Sequence, residues 1–501
     1  MKKELIQLSK SGRIGIGVAL SILSGGLLFL AYPPVNLWPL IWLAIIPYLI
    51  AQYRFMPRRW AALAPTISMT MFLWPYLARI FGLPDAPFLF KNMGLLFGII
   101  TFFTSSERKL HEMTQYKWFV LQGMFAWVGF EMIRSLIPVL GTMGFVANTQ
   151  ASQAWLIQPV SIFSIYGLNF LIILVNYSLA FLCLRWIDRT FLFEDSVPVD
   201  PKAAKKWIIL AIAALVVWAG LSLILFNIQS DTLPVRVAAL HHFFDVPGHQ
   251  ADEAEQAARV EIFSAQAREA ANQGAQVIFL PEMAFGIDPQ KQYTKDFQSL
   301  AAETNAYLFI PYAFHDDVGW HNESVLLSPQ GEFSTRYGKL HAFGEPPTVS
   351  AEEFPVKETP LGTLGTIICM DGVFTDAARN AVNNGAQILG IPTYNSTIGI
   401  SEHNWTHFVM RSVENRIPIV NADRGILSII TDARGSVIAE EKTPKGGEMV
   451  LVADVKPGNT SSPYLSMSDW LGWVALAGFA FFTGFQMVVE GKAKKAGKSS
   501  K

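Results

Sequence analysis

Residues 361–376, Leu-Gly-Thr-Leu-Gly-Thr-Ile-Ile-Cys-Met-Asp-Gly-Val-Phe-Thr-Asp, place a cysteine between a predicted strand and a helix-like segment. The run from Leu364 to Ile368 is rich in apolar and β-branched residues, which predicts a buried strand. Cys369 then lies at the C-terminal end of that strand, where its thiol and the amides of the next helix would face one pocket. The only other cysteine, Cys183, lies in an apolar run, so no disulfide partner is evident. On its own, such a cysteine can equally be a small buried hydrophobic residue.

The composition is typical of a membrane protein. Of 501 residues, 51% are hydrophobic and 16% are charged, and the chain contains 36 Phe and 14 Trp. So low a charged fraction is unusual for a soluble protein of this length. The formal net charge of −1 argues against a nucleic-acid partner. Two cysteines are too few for a disulfide framework or a CxxC metal site.

Apolar stretches long enough to cross a bilayer predict eight membrane spans. They lie near residues 14–32, 37–53, 60–83, 90–106, 117–137, 159–184, 207–228 and 470–489. The first is followed by Tyr-Pro-Pro and not by a small-residue cleavage site, so we interpret it as a retained span. We therefore divide the chain into a seven-span bundle (1–230), a polar domain (231–458), and an eighth span with a basic tail (459–501).

Basic residues are concentrated on one side of the predicted spans, whereas the opposite connections, near 33–36, 84–89 and 138–158, carry almost none. The basic side contains Lys2, Lys3, Lys10, Arg13, Arg54, Arg58, Arg59, Arg108, Lys109, Lys117, Arg185, Arg189, Lys202, Lys205, Lys206, Lys492, Lys494, Lys495, Lys498 and Lys501. Cytoplasmic connections carry the excess of Lys and Arg in membrane proteins. We therefore predict that both termini are cytoplasmic and that the polar domain lies on the extracytoplasmic face.

Two charged residues lie within the predicted bundle, one helical turn apart at the outer end of the fifth span. These are Glu131 and Arg134. They can form a local ion pair that reaches the interface, or they can form a wall of a lipid-headgroup site.

The polar domain alternates short apolar strands with amphipathic helices. Strands are predicted at 235–240, 276–280, 307–312, 324–328, 363–368, 387–391 and 417–421, with a hairpin near 426–439. Helices are predicted at 252–272, 297–304, 374–384 and 403–415. This alternation is typical of an α/β fold in which helices cover the sheets.

Three elements of the polar domain end in reactive side chains. Glu282 ends the strand 276–280, at the edge where α/β sheets hold ligands, and Lys339 lies in a later loop. Together with Cys369 they form a set suited to acyl transfer, because a carboxylate can take the thiol proton while an ammonium stabilises the oxyanion. Each also has a plainer interpretation: Glu282 as a charge at a helix start and Lys339 as a solvated loop residue.

The blocks around these residues resemble those of a known superfamily. Leu280-Pro281-Glu282, Tyr337-Gly338-Lys339-Leu340-His341 and Ile367-Ile368-Cys369-Met370-Asp371 are similar to the Glu, Lys and Cys blocks of carbon–nitrogen hydrolases (nitrilases). Such a domain between seven spans and one span resembles the bacterial apolipoprotein N-acyltransferases. Further similar segments are Leu30–Pro34 with Leu37–Leu40, Trp127–Arg134, Gln158–Asn176, Phe343–Glu345 and Arg411–Arg416. The resemblance covers nearly the whole chain and implies an αββα sandwich joined to the eight-span helical bundle.

The resemblance also implies a reaction. Cys369 would be the nucleophile, Glu282 the general base and Lys339 the cation that stabilises the oxyanion. Glu345 and Asp371 would be supporting carboxylates. Cys369 would take an acyl chain from a phospholipid as a thioester and pass it to the α-amine of a lipoprotein's diacylglyceryl-cysteine, at the bacterial cytoplasmic (inner) membrane. This ping-pong reaction needs no metal and no organic cofactor.

Two segments depart from the family pattern. The family's Tyr-Glu after the cysteine is replaced by Met370-Asp371, and its Asn-Asp-Ala-Trp-Phe-Gly loop is replaced by 393–399. We predict Tyr394 and Asn395 of that loop as substrate contacts, together with the charged pair of the fifth span. A membrane-tethered amidase, an acyltransferase with a different acceptor amine, and an inactive binding module remain as alternatives.

Overall fold

The computed structural model describes residues 5–82, 88–104, 107–228, 231–334, 336–350, 353–443, 446–459 and 461–499. Lys2, Lys3, Lys501 and most of the predicted connection near 84–89 lie outside these ranges. The part before the polar domain is helical. Its helices are α1 (Lys10–Ala31), α2 (Ile46–Ile50), α3 (Leu63–Ile80), α4 (Phe88–Thr104), α5 (Glu107–Met113), α6 (Phe119–Ser135), α7 (Val160–Ile187) and α8 (Pro201–Phe226).

Five helical segments of the described chain are long and apolar enough to cross a membrane. They are Lys10–Ala31, Arg58–Ile80, Val160–Ile187, Pro201–Phe226 and Trp470–Ala493. Helices α4 and α6 are shorter, with 17 residues each. At 1.5 Å per residue this is near the lower limit for a transmembrane helix. The structure therefore agrees with a membrane bundle, and the count of eight spans stays a prediction.

The second predicted span, 37–53, is not one continuous helix. It consists of three short pieces: a 3₁₀ helix at Trp38–Trp42, α2, and a π-helix at Ala51–Phe55. Asn176 of α7 satisfies the broken backbone, since its Oδ1 accepts from the Ile45 amide (3.0 Å) and its Nδ2 donates to the Ile41 carbonyl (2.9 Å). Irregular backbone at membrane depth is tolerated only where protein groups satisfy it. Ile41 and Ile45 of this segment are accordingly fully buried, whereas Leu37 and Leu43 are exposed.

The polar domain has the predicted α/β fold. Its elements are β1 (Val235–His242), α9 (Glu253–Asn272), β2 (Val277–Phe279), α10 (Thr294–Thr304), β3 (Tyr307–His315), β4 (Trp320–Leu327), β5 (Tyr337–Gly338), β6 (Val356–Lys357), β7 (Leu364–Thr366), α11 (Asp376–Asn383), β8 (Ile388–Gly390), α12 (Ile398–Asn415), β9 (Ile419–Asn421), β10 (Leu427–Thr431), β11 (Val437–Lys442) and β12 (Glu448–Val455). Two helices then end the described chain, α13 (Pro463–Met467) and α14 (Trp470–Ser499).

The strands form two six-stranded sheets. The first sheet has the order β12-β1-β2-β3-β4-β5 and the second the order β11-β10-β9-β8-β7-β6. Strands β1, β2 and β3 are parallel in the first sheet, and β7, β8 and β9 are parallel in the second. Parallel strands present their carboxyl ends at one edge, so the residues that follow β2 and β7 lie where ligands bind in such sheets.

The two sheets pack face to face over an apolar core. Phe279 and Phe309 of the first sheet stack with ring centroids 4.6 Å apart, against Ile388 and Val420 of the second. Gly390 allows this close approach, because a Cβ at that position would lie 2.2 Å from the Phe279 ring. A side chain there would have to push the sheets apart.

Helix α12 joins the α/β domain to the membrane bundle. Its Phe408 and Met410 belong to the same buried cluster as Ile165 and Leu168 of α7. At its C-terminal end, Arg416 donates to the side chain and backbone of Gln158. The domain is therefore packed against the bundle through a continuous core and is more than a tethered module.

Candidate active site

Each of the three predicted catalytic residues follows a strand. Glu282 lies three residues after β2, and Lys339 directly follows β5, both in the first sheet. Cys369 lies three residues after β7 in the second sheet and begins a 3₁₀ helix that ends at Val373. Cys369 has a φ of +49°, and its amide donates to the Pro392 carbonyl at 2.9 Å. A non-glycine residue in this left-handed region is strained, and the surrounding structure has to fix it.

Lys339 is a buried cation held between two carboxylates. Its Nζ donates to Glu282 Oε1 at 2.8 Å and also to Glu345 Oε1. The Lys339 side chain is only 4% exposed, and burial by itself would lower its pKa. The carboxylates of Glu282 and Glu345 outweigh that effect, so the pKa of Lys339 is raised well above its ordinary value. The ammonium therefore stays charged at the centre of the site.

Two residues of β4 complete the site and were not predicted from the sequence. Asn322 Nδ2 donates to Glu282 Oε1 and to Glu345 Oε2, at 2.9 Å each. Trp320 Nε1 donates to Glu345 Oε2 at 3.0 Å. These bonds fix both carboxylates around the lysine. The signal that could have revealed them is the polar run 321–324 within a strand that is buried along its whole length.

The half-buried Cys369 side chain lies beside the Glu282 carboxylate. Burial raises the pKa of the thiol well above its ordinary value; Glu282 raises it further, and Lys339 opposes the rise. The thiol is therefore neutral at rest, and a base would have to take its proton before it could act as a nucleophile. Cys183 and Cys369 are both free thiols.

Asp371 ties the cysteine turn to the lysine loop. The fully buried carboxylate accepts from the amides of Ile368 (2.9 Å) and His341 (2.7 Å) and from the Tyr337 hydroxyl (2.7 Å). Burial raises the pKa of Asp371, and these donors oppose the rise. The contacts are direct although the side chain is shorter than the glutamate usual in the family. They support its predicted position as a supporting carboxylate.

The two loop residues predicted as substrate contacts face different surroundings. The Tyr394 amide donates to Glu282 Oε2 at 2.8 Å, and its ring is half-buried at the edge of the site. Asn395 is buried: its Nδ2 donates to Asp423 Oδ1 at 3.2 Å, and its Oδ1 accepts from Asn404. Because both ends of its amide contact protein groups, Asn395 braces the loop.

The charged pair of the fifth predicted span lines a cavity of about 570 Å³ in the bundle. Glu131 Oε1 accepts from Trp127 Nε1 and from the Val146 amide, while the Arg134 guanidinium lies over the rings of Phe130 and Phe145. The local ion pair between Glu131 and Arg134 is absent from the described part of the chain. The pair therefore contributes polar groups to the lining of a largely apolar cavity.

Two buried histidines of α12 connect the bundle to the Cys369 turn. Tyr76 of α3 lies 2.5 Å from His403 Nδ1, the two Nε2 atoms of His403 and His407 are 2.9 Å apart, and Thr142 Oγ1 lies 2.8 Å from His407 Nδ1. Thr142 in turn donates to the Val373 carbonyl at 2.6 Å. Burial lowers the pKa of His403 to about 3, so both rings are neutral and the hydrogen bonds run in one direction from Tyr76 to Val373.

Two family models match this chain. The model described as Carbon-nitrogen hydrolase matches residues 236–462, and the one described as Apolipoprotein N-acyltransferase N-terminal domain matches residues 24–178. An apolipoprotein N-acyltransferase of Geobacter metallireducens is 27% identical over 92% of this chain and 93% of its own length. The chain combines the two domains, a carbon–nitrogen hydrolase domain and an apolipoprotein N-acyltransferase N-terminal domain, that these matches describe. This confirms the resemblance on which the site prediction depends.

One further relative and one solved structure are also similar to this chain. The apolipoprotein N-acyltransferase of Chlorobaculum tepidum is 23% identical over 91% of this chain and 94% of its own length. Among solved structures, an amidase from Nesterenkonia sp. aligns with 48% of this chain and with 95% of its own chain. The sequence identity is 21% and the TM-score is 0.38.

Proposed function

We propose that the protein transfers a fatty acyl chain from a phospholipid, through a thioester on Cys369, to the N-terminal α-amine of diacylglyceryl-cysteine in lipoproteins. The observation that supports this proposal is the hydrogen bond between Lys339 and Glu282 in a site where both side chains lie next to Cys369. That site lies in a carbon–nitrogen hydrolase domain packed on a bundle of the N-acyltransferase type.

In the first half-reaction, Glu282 takes the proton of the neutral Cys369 thiol. The thiolate attacks an ester carbonyl of the phospholipid, and the Lys339 ammonium stabilises the oxyanion that forms. When the tetrahedral intermediate collapses, the C–O bond of the ester breaks. The leaving alkoxide takes the proton from Glu282, which gives a lysophospholipid and an acyl thioester.

In the second half-reaction, the lipoprotein α-amine attacks the thioester carbonyl. Glu282 takes a proton from the amine, and Lys339 again stabilises the oxyanion. The C–S bond breaks, an amide forms, and the thiolate recovers its proton from Glu282. Glu345 and Asp371 act through the groups they hold, the first on Lys339 and the second on the Cys369 turn.

Both proposed substrates are anchored in a bilayer, which gives a reason for packing the catalytic domain against the bundle. Confinement to one surface raises the effective concentration of the two reactants. We place the domain on the extracytoplasmic face of the bacterial inner membrane, with both termini in the cytoplasm, from the distribution of basic residues. The cavity lined by Glu131 and Arg134 would hold part of the lipid, with the polar pair at its headgroup.

Mass spectrometry of a diacylated lipopeptide incubated with purified protein and phospholipid tests the proposal. Wild type should add one acyl chain to the peptide and release lysophospholipid, Cys369→Ala should do neither, and Cys183→Ser should behave as wild type. Release of free fatty acid without acylated peptide would instead establish hydrolysis of the donor ester, with water as the acyl acceptor. Failure of wild type to form any Cys369 adduct with an acyl-phosphonate probe would refute an enzymatic function.

A further inference from the structure

Arg424 is a buried cation at the edge of the site, and the reaction proposed above gives it no role. It lies in the turn between β9 and β10 and is only 8% exposed. Its guanidinium is enclosed by two aromatic rings, with Cζ 4.2 Å from the Tyr394 centroid and 4.5 Å from the Phe243 centroid. The amide of Tyr394 donates a hydrogen bond to Glu282. Tyr394 therefore contacts both the Arg424 cation, through its ring, and the proposed base, through its backbone.

The adjacent carboxylate does not neutralise this charge. Asp423 is fully buried, and its Oδ1 accepts from Thr393 Oγ1 (2.9 Å) and Asn395 Nδ2 (3.2 Å). Its Oδ2 accepts from the amides of Ile426 (3.2 Å) and Leu427 (2.9 Å). Within the described ranges, Arg424 forms no ion pair with any carboxylate. Burial of an uncompensated charge is unfavourable, and the two rings offset only part of that cost.

A small part of Arg424 remains reachable from outside, since the residue is 8% exposed. Its Nε is sealed from solvent and has no hydrogen-bond partner, and the guanidinium also contacts the Tyr394 side chain through a hydrogen bond. Gly425 lets the turn pack closely on Phe243, because it has a φ of +110° and a Cβ there would lie 2.6 Å from the Phe243 amide nitrogen. The guanidinium is therefore confined between Tyr394 and Phe243, and no carboxylate among the described residues takes its remaining donors.

We infer that Arg424 binds the phosphodiester of the phospholipid acyl donor. A guanidinium donates two parallel hydrogen bonds to phosphate oxygens, and a rigid, weakly hydrated cation suits this ligand. The phosphodiester is also the anion that the proposed reaction always places near the ester that is cleaved, because both belong to the same phospholipid molecule. The acceptor instead brings an amine, which a nearby cation would repel. This inference rests on the proposed function and specifies how its donor is recognised.

The test is single-turnover formation of the Cys369 thioester by the full chain in nonionic detergent, followed by intact-protein mass. Two donors with the same acyl chain are used: a phosphatidylglycerol, and the p-nitrophenyl ester, which lacks a phosphate. In Arg424→Gln the concentration of phosphatidylglycerol that gives half-maximal loading should rise about tenfold or more, as for loss of a charge-assisted hydrogen bond. Loading from the phosphate-free ester should be unchanged, and Arg424→Lys should recover part of the loss.

Arg268→Gln is the matched control, because Arg268 is an exposed arginine of α9 paired with Glu303. It should load from both donors as wild type does. An equal loss on both donors in Arg424→Gln would show that Arg424 only supports the fold and would overturn the inference. Unchanged loading of Arg424→Gln from phosphatidylglycerol would overturn it as well. Absence of loading from either donor by wild type would instead refute the proposed function, and this inference would fall with it.

Discussion

Replacement of Asp371 by asparagine should separate the Cys369 turn from the Lys339 loop. The carboxylate joins these two segments, because one donor, the Ile368 amide, precedes the cysteine and another, the His341 amide, follows the lysine. An asparagine keeps one oxygen and presents an NH₂ group in place of the other. If the oxygen stays at the Ile368 side, the His341 amide faces a second donor where it now has an acceptor at 2.7 Å.

The expected cost follows from these contacts. Leaving one buried amide without a partner costs about 1–3 kcal/mol. The remaining hydrogen bonds also lose their charge assistance, which roughly halves their strength. If about 2 kcal/mol of this total is added to the activation free energy of thioester formation, that step slows roughly 30-fold. Tyr337→Phe is the matched control, since it removes a single donor at 2.7 Å and leaves the carboxylate and its backbone partners in place.

The assay is the rate of Cys369 thioester formation, with the apparent melting temperature measured in the same detergent. Asp371→Asn should lose much more loading rate than Tyr337→Phe at a temperature where both variants remain folded. Equal rates for the two variants would refute the reasoning that Asp371 positions the turn through the backbone amides. A loss of rate that disappears once the unfolded fraction is subtracted would refute it as well.

Two further predictions follow from the site and the core. Burial and then the Glu282 carboxylate raise the pKa of Cys369. Glu282→Gln should therefore let iodoacetamide alkylate this thiol at a lower pH, while acyl loading from phospholipid is lost. Peptide mapping measures the alkylation, and an unchanged pH of onset would contradict the placement of the two groups. Gly390→Ala should lower the apparent melting temperature, because its Cβ would lie 2.2 Å from the Phe279 ring and overpacking of this kind costs about 1–3 kcal/mol. Gly26→Ala in α1 meets nothing within 4 Å and should melt as wild type does; equal melting of the two variants would show that the sheets can separate freely.

The α/β order of the polar domain could be predicted from the sequence because it depends on local periodicity. The predicted strands 276–280 and 387–391 contain the observed β2 and β8, and the predicted hairpin near 426–439 corresponds to β10 and β11. The break in the segment 37–53 could not be predicted in the same way. Apolar length is a property of that segment alone, whereas its conformation depends on the Asn176 side chain of another helix.

The sequence by itself determined that this is a membrane protein with an inserted α/β domain, and that its reactive residues end strands. Each of these properties depends on short stretches of neighbouring residues. Only the tertiary structure decided how the charges are compensated. Glu282 is held by Asn322, Lys339 and Tyr394, which are 40, 57 and 112 positions away, while Arg424 is left without a carboxylate among the described residues. The physical reason is that a buried charge is stabilised by whatever groups surround it in space, and strand periodicity carries no information about those groups.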